Sequence, residues 1–314
     1  MYQFNIVFGI FIAFLSNFLL DGVGGSNDWR WMLGIEALPA LLYCFMVVRV
    51  PESPRWLILT QKNETEGQRI LEYIYSKDEA KQMSAIIKAA ESEKNASESV
   101  FQKKYSNVLW LAFFIAFFNQ WSGINFVLYY APEILERSGL AAKESLFSSI
   151  SIGTVNLVFT LLGVRLIDKL GRKQLITLGS FGYIFSLAMV AWCFYTQAQP
   201  ILLISFILVF IASHAIGQGA VIWVFISEIF PNNVRAYGQS WGTGVHWVFA
   251  ALITLITPFF LDQDEGVFGD NPWPIFAFFS LMMVGQLIWT RLKMPETKGV
   301  SLEDLSKKLI KEHK

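Results

Sequence analysis

The side chains best placed to do chemistry are uncharged polar groups set inside long apolar runs. The richest stretch is Asn119-Gln120-Trp121-Ser122-Gly123-Ile124-Asn125, followed by Tyr129-Tyr130-Ala131-Pro132. A polar group at membrane depth is costly, so such a cluster calls for a partner or a function. Each carboxamide offers a donor and an acceptor to a pair of hydroxyls. An indole or phenol face can cover the apolar C–H side of a polyhydroxylated ring. Amides beside aromatics therefore suit an uncharged polyol. The same amides also fit a purely structural role, tying helices together. On an unbroken helix Gln120 and Asn125 would point about 140° apart. The Ser122-Gly123 step and the later Pro132 permit a local break that turns both toward one cavity.

Other intramembrane polar groups accompany them. Gln3 stands near the start of the first apolar run and Asn156 inside the fourth. Gly217-Gln218-Gly219 precedes Trp223 in the sixth, and His246 adjoins Trp247 in the seventh. A histidine in such a place reads either as a packed core residue or as a contact. No His, Cys, Asp or Glu grouping has metal-ligand spacing, and no Gly-x-Ser-x-Gly or phosphate-loop sequence occurs. An intramembrane enzyme needs a nucleophile–base pair or a metal, so no catalytic residue, cofactor or metal is expected.

Charge gathers at the ends of the runs. Asp168-Lys169-Leu170-Gly171-Arg172-Lys173 makes a very short connection, Glu228 ends the sixth run, and Arg235 follows Pro231. These groups suit either plain anchoring at the membrane surface or a latch of ion pairs across helix ends. Single surface pairs contribute only about 0–1 kcal/mol, so a latch needs a network.

The elements that position these residues follow from composition. The chain has 314 residues, is 54% hydrophobic, carries 16% charged residues and has a mean hydropathy of +0.44. Soluble domains carry about 25% charged residues, so lipid is the expected solvent. Net charge is zero, which gives no nucleic-acid surface. The two cysteines, Cys44 and Cys193, lie in apolar runs and read as small buried hydrophobes. Eight runs reach the roughly 17–25 residues needed to cross a bilayer: about 2–20, 31–50, 107–131, 146–167, 175–196, 200–227, 240–260 and 273–292. The first has neither a basic leader nor a small-residue cleavage site, so a signal peptide is the weaker reading. Loop charge sets the orientation: 22 of the 25 lysines and arginines fall on the side holding 49–105, 165–173, Arg235 and the tail from Arg291. That side is cytoplasmic.

The one sizeable polar region, 56–105, has apolar residues at three- and four-residue spacing over Glu64 to Ser76 and Lys77 to Glu93. It predicts two or three short amphipathic helices on the cytoplasmic face. Glycosylation sequons begin at Asn63 and Asn95, but cytoplasmic placement argues against their use. Ser301 with Asp304 forms a capping box for a short helix in the tail. An internal echo is more informative. Pro51-Glu52-Ser53-Pro54-Arg55 follows the second run and Pro295-Glu296-Thr297-Lys298-Gly299 follows the eighth. If these mark equivalent ends of two repeats, the second has six spans and the first only two. The chain then reads as a six-plus-six transporter truncated at its amino end.

Taken together, five motifs resemble those of the sugar porter family of the major facilitator superfamily, especially its bacterial members. In order they are Pro51-Glu52-Ser53-Pro54-Arg55-Trp56-Leu57; Gln120 with Gly123-Ile124-Asn125 and Tyr129-Tyr130; Asp168 with Gly171-Arg172-Lys173; Trp223 with Glu228, Pro231 and Arg235; and Pro295-Glu296-Thr297-Lys298-Gly299. The resemblance implies an all-α, multi-pass major facilitator fold, with helices five to twelve of twelve present. In that frame 1–50 are the last two helices of the amino-terminal bundle and 51–106 a linker with short cytoplasmic helices. Residues 107–292 are the six-helix carboxyl-terminal bundle and 293–314 a cytoplasmic tail. It further implies alternating access to a mid-membrane site, with Gln3, Gln120, Asn125, Asn156, Trp223, His246 and Trp247 at the sugar. The cytoplasmic gate would fall on Asp168, Arg172, Glu228 and Arg235.

Some positions depart from the family pattern. Asn119 stands where a glutamine is common, His246 where an amide is common, and Gln218 and Ala220 where some relatives have proline. In proton-coupled relatives the acidic residue that takes the proton lies in the first four helices, so these residues fit a proton symporter and a facilitator equally. The leading expectation is uptake of a hexose or pentose in the bacterial cytoplasmic membrane, with sugar, lipid and in one alternative protons as partners. A transporter-like sugar sensor and an inactive fragment that needs the first four helices are the other readings. Oligomeric state is left open.

Overall fold

A computed structural model describes residues 2–92, 99–262, 266–269 and 271–310. All regular structure among them is helical. Eight helical segments are long and apolar enough to cross a membrane: Gln3–Leu20, Gly25–Val47, Lys103–Tyr129, Ala142–Leu170, Arg172–Thr196, Pro200–Ile229, Arg235–Leu261 and Trp273–Leu292. They match the eight apolar runs of the sequence, but several outrun them. The seventh opens at Arg235, ahead of the run starting near 240. Hydropathy marks only the lipid-facing stretch, whereas backbone hydrogen bonding carries a helix on into the polar interface.

The chain forms two compact units, one of residues 29–98 and one of 1–28 with 99–314. In the smaller, the second apolar run is not one helix but two, α2 (Asp28–Gly34, whose first residue belongs to the larger unit) and α3 (Ala37–Val47). Pro39 is the cause. It has no N–H to return to the carbonyl of Ile35, which instead accepts from Leu38 N at 3.1 Å. Every residue of α3 is exposed, Cys44 among them, so that cysteine is not the buried hydrophobe its sequence context predicts. Cys193 is buried. The polar stretch carries three short helices, α4 (Pro54–Leu59), α5 (Glu64–Ile74) and α6 (Lys77–Ser92). They close over Ile58, Leu71, Ala80 and Ile87. Asn63 caps α5, its Oδ1 accepting Glu66 N at 3.2 Å. The second sequon, at Asn95, lies outside the described residues.

The larger unit begins with α1 (Tyr2–Leu20) and continues with α7 (Ser106–Gln120), α8 (Ile124–Tyr129), α9 (Ala131–Glu136), α10 (Ala142–Leu170) and α11 (Arg172–Thr196). Then come α12 (Pro200–His214), a π-helical turn Ala215–Gly219, α13 (Ala220–Ile229), α14 (Arg235–Leu261), α15 (Trp273–Leu292) and α16 (Leu302–Leu309). Ser301 caps α16 as its spacing predicts, accepting Asp304 N at 3.2 Å. The main packings are α1 on α10, α7 on α14, α11 on α12 and α15, and α10 on the π turn. Small residues let backbones meet: a Cβ on Gly179 of α11 would lie 3.0 Å from the Cα of Gly217 in the π turn. One core runs through this unit, with Tyr105, Tyr183, Phe210, Phe225 and Phe276 fully buried within it.

Candidate functional site

The helix break foreseen at Ser122-Gly123 is present. α7 stops at Gln120, Gly123 takes φ +79°, and α8 restarts at Ile124. A side chain at Gly123 would be strained at that φ and would lie 2.5 Å from the Phe279 ring. Ser122 Oγ secures the turn, donating to Asn119 O at 2.6 Å and accepting Ile124 N at 3.3 Å. The break erases the angular separation of Gln120 and Asn125. Asn125 Nδ2 donates to Gln120 Oε1 at 2.9 Å.

From this stretch Asn119, Ile124 and Asn125 form part of the wall of a cavity of about 200 Å³. Of the seven side chains expected at a substrate, Gln3, Asn125, Asn156, Trp223, His246 and Trp247 line it, contributed by α1, α8, α10, α13 and α14. Asn119, Tyr129 and His214 join them. Gln120 does not line the cavity; it is 0% exposed and acts as a hub behind the wall. Its Nε2 donates to Asn119 Oδ1 at 3.2 Å and lies 3.0 Å from His246 Nε2. One carboxamide thus fixes Asn119, Asn125 and His246 at once. Because the amide nitrogen can only donate, the imidazole must accept in this contact. His246 is also held between indoles, 4.9 Å from Trp223 and 5.1 Å from Trp247 by ring centroids. The amides and the indoles therefore form one connected surface, able both to hydrogen-bond hydroxyls and to cover a C–H face.

A second buried amide system braces the π turn. Gln218 Nε2 donates to Gln286 Oε1 at 2.8 Å, and Gln286 Nε2 to Ser180 Oγ at 2.8 Å. The Tyr183 hydroxyl accepts Gln218 N at 3.1 Å. Gln286 carries no motif, so only its partner at 68 residues' separation reveals it.

At the ends of α10, α11, α13 and α15 the charges assemble differently. Arg172 meets Glu228 through two parallel bonds, Nε to Oε2 at 3.0 Å and Nη2 to Oε1 at 2.6 Å. This fork is the strong geometry for such a pair. Asp168 is a looser neighbour at 3.9 Å, with 83% of its side chain exposed. Arg235, the fourth expected member, meets no carboxylate among the described residues; its Nε donates to Phe230 O at 3.2 Å and its Nη2 has no partner among them. Two residues noted in the sequence only as part of a span-end marker complete the cluster. Glu296 accepts the backbone N–H groups of Arg172 at 2.9 Å and Lys173 at 3.0 Å. That puts a carboxylate on the first turn of α11, where the helix dipole and unpaired N–H groups favour an anion. Thr297 Oγ1 donates to Glu228 Oε2 at 2.6 Å.

The comparisons with known proteins agree with one another. Residues 1–309 match the family described as "Sugar (and other) transporter". The D-xylose-proton symporter of Escherichia coli (strain K12) is 32% identical over 316 residues, covering 96% of this chain and 62% of the symporter. The glucose transporter GlcP of Staphylococcus epidermidis is 30% identical, covering 98% of this chain and 68% of that protein. Among solved structures, the xylose transporter XylE from E. coli in a partially occluded inward-open conformation superposes with a TM-score of 0.81 at 30% identity. The overlap is 95% of this chain and 63% of that one. XylE bound to 6-bromo-6-deoxy-D-glucose gives 0.78 over 98% and 66%. The chain therefore spans a little under two thirds of the length of the symporter and of these structures.

Proposed function

This chain belongs to the sugar porter family of the major facilitator superfamily, a multi-pass membrane protein of that fold, and we propose that it carries a monosaccharide, a hexose or a pentose, across the bacterial cytoplasmic membrane by alternating access. The observation that carries this reading is the cavity. Six polar and aromatic side chains from five helices, far apart in sequence, converge on one space of about 200 Å³. Its lining holds carboxamides, imidazoles, indoles and a phenol, the set that suits a neutral polyhydroxylated ring. Gln120 serves the same site from behind, as the amide that orients Asn119, Asn125 and His246.

On this reading 1–50 are the last two helices of the amino-terminal bundle, 51–106 the linker, 107–292 the carboxyl-terminal bundle and 293–314 the tail. Asp168, Arg172, Glu228 and Arg235 are the cytoplasmic gate, with Glu296 and Thr297 as further members. The ion pair of Arg172 with Glu228 holds one state, and Arg235 gains a carboxylate partner only in another. Proton coupling is part of the proposal, because similar proteins include a D-xylose-proton symporter and an arabinose-proton symporter.

The test is uptake of labelled xylose, arabinose and glucose by sugar-uptake-deficient cells expressing this chain. Saturable uptake of one of them, reduced by a protonophore, is the expected result. No uptake of any, with membrane insertion confirmed, overturns transport by this chain. Uptake indifferent to the protonophore overturns the coupling alone.

A further inference from the structure

We propose that an acyl chain of an outer-leaflet phospholipid seats in a crevice between α14 and α15, beside the helix break at Ser122-Gly123. The crevice holds about 370 Å³, within the roughly 300–1,000 Å³ of small-molecule sites. Trp121 and Phe126, one on each side of the break, line it, as does Phe279, the ring packed beside Gly123. α14 supplies Ile253, Ile256, Thr257 and Phe260. Pro258 interrupts the backbone ladder of α14 at this level, and the Tyr130 hydroxyl donates to the freed carbonyl of Thr254 at 3.1 Å. Loop charge puts Arg235 at the cytoplasmic end of α14. The crevice, near Leu261 at the other end, therefore lies in the outer half of the membrane.

What fills the crevice follows from its walls and its openings. An ordered water needs about two to four polar partners. Among the lining side chains, Thr257 Oγ1 already donates to Ile253 O at 2.7 Å, and Trp121 Nε1 is sealed from solvent without a partner. The remaining side chains are aliphatic or aromatic, so water gains too little to stay. Left void, the space would deprive those side chains of contacts on one side. Toward the aqueous face the crevice is roofed. Phe268, in the connection after α14, stacks on Phe260 with centroids 5.8 Å apart, and its backbone N–H donates to Phe260 O at 3.0 Å. The exposed members of the lining are instead Ile256 and Phe278, at 41% and 43%, both on membrane-spanning helices. The medium at that mouth is hydrocarbon. An acyl chain is thus the apolar ligand in reach at the highest concentration, and it enters sideways rather than from water.

The experiment uses the full chain in nanodiscs of phosphatidylethanolamine and phosphatidylglycerol, doped with a phospholipid carrying a diazirine midway along one acyl chain. After illumination, mass spectrometry locates the label. Ile253, Thr257 and Phe279 are buried, so a chain reaches them only through the crevice. Label on them is expected to equal or exceed that on Phe259, which is 67% exposed on the same helix and outside the crevice. Thr257→Phe fills the space. Each methylene displaced weakens seating about fourfold and a ring displaces several, so label on Ile253 and Phe279 falls roughly tenfold or more while Phe259 keeps its own. Ile256→Trp, at an exposed position, narrows the mouth and is expected to act the same way, which decides the matter should Thr257→Phe fail to insert. Buried lining residues free of label in the parent, or labelled as strongly in the variants, overturn the proposal. Labelling of those residues by a diazirine-bearing short-chain alcohol but not by the phospholipid identifies a small apolar solute as the occupant and overturns it as well.

Discussion

The two ends of α13 serve different electrostatic regimes. Trp223 lies on the cavity and Glu228 in the ion cluster, only five residues or roughly 7–8 Å of helix apart. At the first, no Asp, Glu, Lys or Arg among the described residues lines the space, and Asn119, Asn125 and His246 are held by hydrogen bonds to Gln120. At the second, a guanidinium, two carboxylates, a hydroxyl and a helix terminus share one set of charge-assisted bonds. Desolvation explains the division. An ion at membrane depth carries a penalty that an amide avoids, whereas at a helix end water and backbone N–H groups share the load. The difference teaches that selectivity and state-holding can sit on one rigid helix without interfering, because one depends on shape and neutral donors and the other on charge.

This comparison breaks first, if at all, at Arg172. Arg172→Ala strands the Glu228 carboxylate in a half-buried place, and thermal unfolding should report a loss of about 2–3 kcal/mol. Sugar affinity should hold. A matching fall in affinity would mean that the two regions are one system. Next in size is Gln120→Ala, which releases Asn119, Asn125 and His246 together. Equilibrium sugar binding is expected to weaken by about 1–2 kcal/mol with membrane insertion unchanged, and unaltered affinity would remove its role as the hub. Trp223→Ala takes away one stacking face and should cost about 0.5–1.5 kcal/mol of sugar binding, read in the same assay. Thr297→Val removes a single bond to Glu228, about 1 kcal/mol of stability, and should leave sugar binding alone. The finest test is the double variant Trp223→Ala with Thr297→Val. Its effects on unfolding should add to within about 0.5 kcal/mol, and a larger coupling would show α13 transmitting between its ends.

Several of these parts could be read without coordinates. The helix break was legible as an option because Gly123 follows Ser122 between two amides that an unbroken helix would point apart. Gln3, Asn125, Asn156 and His246 stood out as polar residues inside apolar runs, but their grouping with Trp223 and Trp247 into one site came from the resemblance to the sugar porters. His214 is polar too, but a single histidine among isoleucines has no spacing to distinguish a contact from packing. Gln120 was visible as an amide at the site but not as a hub, since a hub is defined by three partners, one of them 126 residues away. Glu296 and Thr297 were visible only as an echo of Glu52 and Ser53, because nothing local ties the first to the N-terminus of a helix 124 residues earlier or the second to Glu228, 69 residues earlier. The split of the second span at Pro39 was open to reading and was missed, because hydropathy ignores the missing N–H.

By itself the sequence determined the class: eight apolar spans, their order, the charge at their ends and the inventory of neutral donors between them. These are properties of single segments, set by the exclusion of unpaired backbone groups from lipid and by the cost of burying ions. Only the tertiary structure decided which amide faces the cavity and which stands behind it, that Arg172 has a carboxylate partner while Arg235 has none among the described residues, and that an imidazole at the end of α12 reaches the same space as one on α14. Those outcomes depend on how each helix is rotated about its axis and how deep it sits against its neighbours. Rotation is fixed by packing among residues tens to hundreds of positions apart, and a one-dimensional pattern does not contain it.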